Sequence, residues 1–553
     1  MNVRAGFGVR TTATTVIVLV AFAAATLHAL AYAGVTSDDA FISLRYAENL
    51  LAGEGLRYNA GREPVEGFSN PLFTLAAAAL MAAGVDALVA VKALGLVGLL
   101  AAVASAAGLA RLAAGAPAAA LAAVLVAASP FCAFWSMAGL ETTTHAALVA
   151  AAVLAVSVEL RRSGSRWSPL LCVAVAASRP EGVVLVAALA AIGLLLADDR
   201  RAAARAWTLG FAAPAAALLL ARWLYYGAFV ANTGAAKVFV GPEATRSGLA
   251  YLAAFATDGG GFVFAAAVAG AAVCLRRGGA ARVVALVASS AVFAQAAFVL
   301  LVGRDFMPGF RFLVPVYPLL AVLAAGLAAP LGFARAAPGA AEASSFAQTT
   351  AGRRAAVALA MVVVGAAGWV GQSAALERHP LRFWLLRDGA PATLAERLSL
   401  AGTPWDAHRR VGAYIRERAR PGDVLAVTEA GIIPYYAGIE TVDLIGLNDR
   451  AIAAGLARAM RADDREAARR AWGEELAARV FARRPRWIVL DGSLSSGLVA
   501  FRPRLDVGYW ITSHPEFRDY RRATVAWMYR AEDVGTGEDR ADVVFVRREQ
   551  GEP

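Results

Sequence analysis

Two adjacent carboxylates follow the first long apolar run of this sequence. Asp38 and Asp39 come a few residues after an apolar segment that extends from about Thr14 to Ala33. Ionised side chains are costly within a bilayer unless they face water or protein, so acids at the end of a spanning helix indicate a functional site. A carboxylate there can act as a general base toward a hydroxyl group. The structural alternative is that Ser37 or Asp38 caps a helix that begins near Ala40.

The residues that follow these acids could bind a substrate. Phe41 to Leu51 has apolar residues at helical spacing, which predicts an amphipathic helix lying on the membrane interface. Within it, Arg45 and Tyr46 come roughly two helical turns after the acids. Arg45 could bind an anion, or its long side chain could simply reach the interface.

An acid and an amide precede the next apolar run. Glu66 and Asn70, with the aromatic ring of Phe68 between them, could bind the hydroxyl groups of a sugar. The alternative is an ordinary loop in which Asn70 and Pro71 start a helix.

Two ionisable motifs lie farther along the chain, between apolar runs. The first contains Glu141, and the second contains Arg179 and Glu181. The apolar run before Arg179 is short for a full span, so this guanidinium needs an anion close by. A guanidinium fork fits a lipid phosphate, although a purely structural Arg–Glu pair is the alternative.

Two further clusters add amides and basic groups. Asn232 and Lys237 follow one apolar run, and Asp305 and Arg311 precede another. Each basic residue could be an interface anchor. Because all these clusters fall on the same side of the predicted topology as Asp38, they together favour a polar cavity facing outward.

Composition indicates the class of protein. The chain has 553 residues, of which 59% are hydrophobic and 17% are charged, whereas a soluble protein is about 25% charged. The net charge of +11 comes mainly from arginines that lie between apolar runs, which is typical of positive-inside topology. Nucleic-acid binding would need a basic soluble face instead, so no nucleic-acid partner is expected.

The arginines set the predicted topology. Arg4 and Arg10 place the amino terminus inside, and the first apolar run reads as an uncleaved helix rather than a signal peptide. The tail then lies outside after an odd number of crossings, about 11 at roughly 20 residues each. Ser129-Pro130 interrupts one apolar run and predicts a broken or re-entrant element, which would give about 13 crossings if it counted as two.

The composition changes near residue 377. Residues 1–376 are predicted to form the transmembrane catalytic domain, and residues 377–553 an extracytoplasmic α/β domain that could bind glycan. Four short buried strands are predicted in this domain: Val424–Thr428, Thr441–Ile445, Trp487–Leu490 and Val543–Val546. Helices are predicted at His408–Arg420 and Ala451–Arg483. The tail's tryptophans could hold carbohydrate, but aromatic residues more often build a core.

Cofactor signals are weak. The cysteines, Cys132, Cys172 and Cys274, lie in apolar runs without metal-type spacing. No dinucleotide or Walker-type glycine motif is present. Asp38 and Asp39 could bind a divalent cation such as Mg²⁺ or Mn²⁺, but the sequence shows no complete ligand set for one.

These residues carry a resemblance to a known family. The chain resembles polyprenyl-phosphate-dependent glycosyltransferases of the GT-C type in the run DDAFISLRYAENL (residues 38–50) and in Gly53, Gly55, Tyr58-Asn59 and Val65-Glu66-Gly67. Within that class it is most similar to the AftB family of terminal β-(1→2)-arabinofuranosyltransferases, whose later motifs resemble Gly139–Thr142, Arg179–Gly182, Asn232–Lys237, Arg304–Leu313 and Asp443–Asp449.

The resemblance implies a fold, a donor and roles for residues. It implies a GT-C fold in a multi-pass plasma-membrane protein, with the first acid after the first helix, here Asp38 beside Asp39, as general base. It also implies inverting transfer of arabinofuranose from decaprenyl-phosphoryl-arabinofuranose to a cell-envelope glycan. The donor phosphate would then meet Arg179, Lys237 or Arg311.

Two other functions fit the sequence. A transferase of the same architecture could move mannose or another sugar to lipid, glycan or protein. A lipid-sugar transporter without chemistry would also contain broken helices, but no internal repeat is visible in this chain. The large soluble tail and the one-sided polar clusters favour an enzyme.

Overall fold

The chain folds into a helical bundle followed by a sheet domain. The structure is a computed structural model, which describes residues 2–161, 166–237, 240–331, 362–378, 384–387, 393–494, 501–529 and 539–549. The inner-loop residues Arg353 and Arg354 and the start of the last predicted span lie outside the described residues.

The first half of the bundle alternates long and short helices. Its helices are α1 (Asn2–Ala31), α2 (Asp38–Leu51), α3 (Pro71–Ala82), α4 (Ala87–Ala114), α5 (Ala116–Ala127), α6 (Pro130–Met137), α7 (Thr142–Glu159), α8 (Ser168–Ser178) and α9 (Gly182–Leu195). Pro130 begins α6 at an angle of 56° to α5. The predicted broken element at Ser129-Pro130 is therefore confirmed.

The second half contains two helices extended through π-helical turns. Its helices are α10 (Arg200–Trp207), α11 (Ala213–Tyr226), α12 (Asn232–Lys237), α13 (Pro242–Phe255), α14 (Gly261–Arg277), α15 (Gly279–Val302), α16 (Tyr317–Ala325) and α17 (362–377). The π turns Thr208–Ala212 and Ala256–Gly260 join α10 to α11 and α13 to α14.

Length and composition identify the candidate membrane spans among the described residues. Six helical segments are long and apolar enough to cross a bilayer, or seven if the bent pair α5–α6 is one span. Four shorter apolar segments accompany them, at Pro71–Ala82, Ser168–Ser178, Gly182–Leu195 and Val314–Ala328. The apolar surface of α11 is largely exposed, as expected for a helix that faces lipid.

The polar motifs gather at one end of this bundle. Helix α7 begins directly after Glu141, and its 18 residues carry the chain roughly 27 Å before it ends near Arg161. Helix α8 ends just before Arg179, and α9 begins just after Glu181. The ion pair between Arg179 and Glu141 joins these helix ends. The acids and the arginine-rich loop at Arg161 therefore lie at opposite ends of α7.

The tail forms a mixed six-stranded sheet with helices against it. Its helices are α18 (Leu394–Leu398), α19 (Asp406–Arg418), α20 (Ile432–Ala437), α21 (Arg450–Arg461), α22 (Arg465–Ala482) and α23 (Asp506–Ser513). Its strands are β1 (Val424–Val427), β2 (Glu440–Asp443), β3 (Trp487–Leu494), β4 (Phe501–Pro503), β5 (Tyr520–Tyr529) and β6 (Arg540–Arg547).

The sheet order is β2-β1-β3-β6-β5, and β4 pairs with β3. Strand β1 lies parallel to β2 and β3, whereas β6 is antiparallel to β3 and β5. The four predicted strands are confirmed, and β4 and β5 were not predicted. The single helix predicted over Ala451–Arg483 is wrong, because Asp464 caps a second helix after a break.

Helix α2 lies between the bundle and the sheet domain. Its apolar residues Phe41, Leu44 and Ala47 are buried, but so are Arg45 and Tyr46. The prediction of a helix lying on the membrane interface is wrong, since protein covers α2 on both faces. A separate apolar core joins Ile42 and Tyr46 of α2 to residues of the sheet domain: Ala430, Leu447 and Ala453.

Candidate active site

Asp38 binds the sheet domain through its carboxylate. Its Oδ2 accepts a hydrogen bond from the backbone N–H of Gly431 at 2.9 Å, and its Oδ1 accepts one from Ile432 at 2.8 Å. These amides begin α20, where a carboxylate is favoured by the unsatisfied N–H groups of the first turn. A Cβ on Gly431 would lie 1.9 Å from the carbonyl oxygen of Asp38, so this close approach needs glycine. The alternative that Ser37 or Asp38 caps the helix after it is wrong, because α2 begins at Asp38 without a side-chain cap and the Asp38 carboxylate binds the start of α20 instead.

Arg45 lies on the same face of α2 as Asp38, about two helical turns farther along. Its guanidinium donates hydrogen bonds to the backbone oxygens of Tyr58, Pro434 and Ile439 and to Oδ1 of Asn59, at 2.6 to 3.1 Å. It also lies over the ring of Tyr58, 4.5 Å from its centroid. The guanidinium is buried and committed to these oxygens, so its contacts do not support the prediction that Arg45 binds phosphate.

Tyr46 has a structural position as well. Its hydroxyl donates to the carbonyl of Val65 at 2.6 Å, accepts from the N–H of Gly67 at 2.9 Å and lies 3.0 Å from Oδ1 of Asn448. The side chain is fully buried. This enclosure does not support the prediction that Tyr46 contacts a substrate, and its hydrogen bonds fix the loop after Val65.

The opposite face of α2 leads into the bundle. Asp39 and Ser43 are one turn apart on α2 and share a face. Ser43 donates to Oδ1 of Asn70 at 3.0 Å, and Nδ2 of Asn70 donates to Glu141 at 2.6 Å. Asp39 is partly exposed, whereas Asp38 is 7% exposed. The two acids therefore face different parts of the molecule, and Asp39 lies on the side of the polar cluster.

Arg179 lies at the centre of that cluster. Its guanidinium forms ion pairs with Glu141 and Glu181, and all three side chains are nearly inaccessible to solvent. It lies 5.9 Å from the ring centroid of Phe312. The structural Arg–Glu alternative fits these contacts, and Arg179 also holds the ends of α7, α8 and α9 together.

Arg311 lies near the same ring. Its guanidinium is 5.6 Å from the centroid of Phe312 and 5.7 Å from that of Trp135. Its Nε donates to Oδ2 of Asp305 at 2.6 Å. The Arg311 side chain is 13% exposed, against 5% for Arg179. Of the two, Arg311 is the more accessible cation and has a single carboxylate partner among the described residues.

Six of the predicted site residues are thus joined into one cluster, in which Phe312 lies near both guanidinium groups: Asn70, Glu141, Arg179, Glu181, Asp305 and Arg311. The cluster contains three carboxylates against two guanidinium groups. A phosphate would add negative charge, so it would have to displace a carboxylate such as Asp305 or bring in another cation. Lys237 ends α12, but its side chain lies outside the described residues.

Glu66 and Asn232 belong to a second polar group nearby. Oε1 of Glu66 forms an ion pair with Arg222 at 2.7 Å, and the Glu66 carbonyl accepts from the N–H of Asn232. The Asn232 side chain donates to the carbonyls of Gly446 and Leu447. Burial raises the pKa of Glu66, and Arg222 opposes that shift. This group lines a cavity of about 220 Å³.

A network of buried charged side chains from the sheet domain lies next to Asp38. Nδ1 of His408 lies 3.4 Å from Oδ1 of Asp38, and Nε2 of His408 lies 3.1 Å from Oδ2 of Asp542. Burial alone would lower the pKa of His408, but Asp542 and Asp38 outweigh it and raise that pKa to about 9. His408 is therefore an imidazolium at neutral pH, and it links α2 to the sheet.

The network continues through strands β3 and β6. Arg540 forms two hydrogen bonds with Asp491, at 2.8 and 2.9 Å, and one with Glu429 at 3.1 Å. Burial and the neighbouring Asp491 raise the pKa of Glu429 to about 7. These contacts hold the end of β1, and with it the Gly431 turn that binds Asp38.

The residues do not fit a metal site. Among the described parts of the chain, no group of three or more His, Cys, Asp or Glu side chains has a metal-binding arrangement. Both oxygens of Asp38 already accept hydrogen bonds from backbone amides.

Sequence reasoning missed several of these residues. His408 and Asp542 lie far from Asp38 in sequence, and no spacing pattern connects them. Lys92 could have been found, because it is a lone cation within an apolar run. It is buried in α4 and donates to the carbonyls of Ala33 and Val35, which positions the turn before Asp38.

Comparison with known proteins identifies the fold. A family model described as a domain of unknown function (DUF8728) matches residues 399–543, within the sheet domain. No curated protein sequence matches the chain. Among solved structures, the chain is similar to ArnT from Cupriavidus metallidurans bound to undecaprenyl phosphate, with a TM-score of 0.54 and 15% identity, over 97% of this chain and 98% of ArnT.

Two further structures are similar. The apo state of the same ArnT aligns with a TM-score of 0.52 and 15% identity, over 96% of this chain and 98% of that one. The archaeal oligosaccharyltransferase AglB from Archaeoglobus fulgidus aligns with a TM-score of 0.47 and 11% identity, over 86% of this chain and 69% of AglB. The ArnT alignments show that the chain has the GT-C membrane fold with a C-terminal sheet domain.

Proposed function

We propose that the protein is a membrane glycosyltransferase that transfers a sugar from a polyprenyl-phosphate donor to an acceptor hydroxyl with inversion. The main support is the position of Asp39, which shares a face of α2 with the hydrogen-bonded path to the Arg179–Arg311 cluster. The GT-C fold adds a second support, since the ArnT structure that matches along almost its full length contains undecaprenyl phosphate.

The chemistry needs a base and a site for the leaving group. Asp39 takes the proton from the acceptor hydroxyl, and the acceptor oxygen forms a bond to C1 of the donor sugar. The C1–O bond to phosphate breaks on the opposite face, and polyprenyl phosphate leaves with the bonding electrons. Arg311 stabilises the negative charge that develops on the phosphate, after exchanging its partner Asp305 for the phosphate.

Asp38 acts differently from Asp39 in this mechanism. It is a positioning residue, because its carboxylate fixes the first turn of α2 to Gly431 and Ile432. The family resemblance assigns the base to Asp38, whereas we assign it to Asp39, because both oxygens of Asp38 already accept hydrogen bonds from backbone amides. Lys92 supports the same turn from the bundle side.

The specific donor of the proposal is decaprenyl-phosphoryl-arabinofuranose, and the acceptor is a cell-envelope glycan. These identities rest on the sequence resemblance to the AftB family alone. Purified protein incubated with radiolabelled polyprenyl-phosphate sugars tests them directly. We expect transfer from the arabinofuranosyl donor; transfer from the mannosyl donor alone would overturn the arabinose assignment, and transfer from neither would overturn the proposed function.

The proposed site faces the extracytoplasmic side. This orientation is supported by the arginines at the far ends of the helices that carry the site, including Arg161 after α7 and Arg282 near the start of α15, which ends just before Asp305. The exposed Ala451 of the sheet domain can be changed to cysteine, since the three native cysteines are buried. We expect a membrane-impermeant maleimide to label Ala451→Cys in intact cells, and labelling only after lysis would contradict this topology.

A further inference from the structure

The span that contains α10, the π turn and α11 packs little against the rest of the bundle. Only 11% of its apolar window is buried, the lowest share among the six candidate spans of the described chain. Its stretch from Leu209 to Tyr226 is roughly 27 Å long at 1.5 Å per residue, close to the roughly 30 Å of a hydrocarbon core. Near Tyr226, Arg222 pairs with Glu66 at the end of the bundle nearest the candidate active site. Arg205 lies one turn before Leu209, which places it in the headgroup layer at the opposite end.

The first residues of α8 pack against this span. A Cβ on Gly210 would lie 3.1 Å from the Cβ of Pro169, so the two helices approach closely where the π turn has a glycine. Helix α8 also runs toward the candidate active site, because it ends just before Arg179. Arg166 and Arg205 precede this contact in two helices that run in the same direction. Both arginines therefore lie at the end of the bundle away from that site.

A buried carboxylate fixes the start of α8. Glu159 accepts hydrogen bonds from the backbone N–H of Trp167 at 2.8 Å and from the N–H and hydroxyl of Ser168 at 2.9 and 2.6 Å. Both oxygens of Glu159 are therefore committed to the first turn of α8. The same hydrogen bonds hold the backbone of Trp167 in place beside Arg166.

The two arginines lack a carboxylate partner of this kind. Neither Arg166 nor Arg205 forms an ion pair within the described parts of the chain. Asp199 caps α10 by accepting a hydrogen bond from the N–H of Ala202, and the exposed Asp198 precedes it. Along the helix axis, Asp199 lies roughly 9 Å farther from the bilayer than Arg205. Arg205 is therefore nearer the bilayer than either carboxylate.

Apolar side chains continue this surface toward the hydrocarbon core. Trp167, Leu170 and Leu209 are each more than half exposed. They lie close together, because Gly210, next to Leu209, contacts Pro169 and the backbone of Leu170. Tryptophan is typical of the membrane–water boundary, and leucine of the hydrocarbon core. Two arginines beside an exposed tryptophan and two exposed leucines form a surface that fits a phosphate group attached to acyl chains.

We propose that Arg166 and Arg205 bind the headgroup phosphate of an anionic phospholipid, whose acyl chains lie along Leu170 and Leu209. Charge complementarity selects this occupant, since guanidinium groups form charge-assisted hydrogen bonds with phosphate oxygens. The positive choline of phosphatidylcholine offsets its phosphate, so a headgroup with net negative charge is preferred. The site lies at the other end of the bundle from Asp39 and does not depend on the proposed function. A lipid held there joins the poorly packed span to α8.

Native mass spectrometry of the full chain in detergent measures the binding. The probes are dioleoyl phosphatidylglycerol, dioleoyl phosphatidylcholine and undecaprenyl phosphate. We expect the natural protein to bind phosphatidylglycerol at least roughly tenfold more tightly than phosphatidylcholine, and Arg166→Gln with Arg205→Gln to lose that preference. Arg166→Lys with Arg205→Lys keeps both charges and should retain most of it, because an ammonium group also binds phosphate.

The matched control is Arg276→Gln with Arg282→Gln. These exposed arginines lie around the turn between α14 and α15, at the same end of the bundle, and we expect the control to bind phosphatidylglycerol like the natural protein. An equal loss in this control would indicate diffuse basic charge, and equal binding of the two phospholipids by the natural protein would show no headgroup selection; either result would overturn the proposal. It would also be overturned if the glutamine pair lost only undecaprenyl phosphate, or if the lysine pair bound phosphatidylglycerol as weakly as the glutamine pair.

Discussion

Asp38 and His408 lie side by side where the helical bundle meets the sheet domain, with Oδ1 of Asp38 3.4 Å from Nδ1 of His408. The contact joins residues separated by most of the chain, and Asp542 holds the other side of the imidazole. A buried ionised pair is favourable only when further hydrogen bonds satisfy it, and the amides of Gly431 and Ile432 do so for Asp38. The arrangement gives Asp38 a structural role where the two domains meet.

Substitution of Asp38 and substitution of Asp39 should have different effects on the protein. We expect Asp39→Asn to lower the transfer rate at least roughly 100-fold, as for loss of a general base. Asp38→Asn should lower the thermal midpoint, because an amide replaces a charged acceptor of two N–H groups. Transfer assays and thermal unfolding of both variants give the test, with the exposed Asp463→Asn as control.

The reverse pattern would reassign these roles. If Asp39→Asn retains full activity while Asp38→Asn unfolds normally and is inactive, then Asp38 is the base. That outcome would agree with the family resemblance and would require the Gly431 turn to release the Asp38 carboxylate when substrate binds.

His408 should make stability depend on pH. Its pKa is raised from 6.5 to about 9. Because the folded-state pKa is the higher one, the stabilisation is fully present below pH 6.5 and is lost as the pH rises through about 9. The loss should be on the order of 3 kcal/mol.

His408→Gln isolates this effect, since glutamine does not titrate. We expect the variant to be less stable than the natural protein at pH 6.5, and the difference to shrink as the pH approaches 9. Thermal unfolding across this range in one detergent measures it. A difference that is the same at every pH would show that His408 contributes packing rather than charge.

Arg311 is the cation expected to meet the donor phosphate. It has one carboxylate partner among the described residues and keeps some solvent access. We expect Arg311→Gln to raise the donor KM roughly tenfold or more, as for loss of a charge-assisted hydrogen bond, and to leave the acceptor KM unchanged. Arg304→Gln is the control, because Arg304 is an exposed arginine of the same loop. An unchanged donor KM for Arg311→Gln would remove Arg311 from the phosphate site.

Local patterns predicted much of the fold but little of the contact between the domains. The apolar runs, the break at Pro130 and the four core strands follow from spacing and from proline geometry. The positions of the acids after a spanning helix were also visible. What the sequence could not show is the sheet domain packed on α2, because the residues that meet there share no local pattern.

Arg45 and Tyr46 illustrate the limit most clearly. Both were predicted to contact substrate, since a basic and an aromatic residue near two acids resemble a binding site. Among their partners, Pro434, Ile439 and Asn448 lie roughly 400 residues farther along the chain. Such partners satisfy a buried guanidinium and a buried hydroxyl, and they turn apparent site residues into interface residues.

Substitution of Arg45 should therefore affect stability more than affinity. Lysine cannot reproduce a planar fork that reaches three carbonyls and an amide oxygen, so Arg45→Lys should cost about 2 kcal/mol or more of unfolding free energy. The control is Arg62→Lys, because Arg62 is 56% exposed and pairs with Glu440 at the surface, where an ion pair contributes little. Thermal unfolding and the donor KM are measured for both variants. A raised donor KM in a fully stable Arg45→Lys protein would return Arg45 to the phosphate site, whereas a lower midpoint with an unchanged donor KM is the result that the buried hydrogen bonds predict.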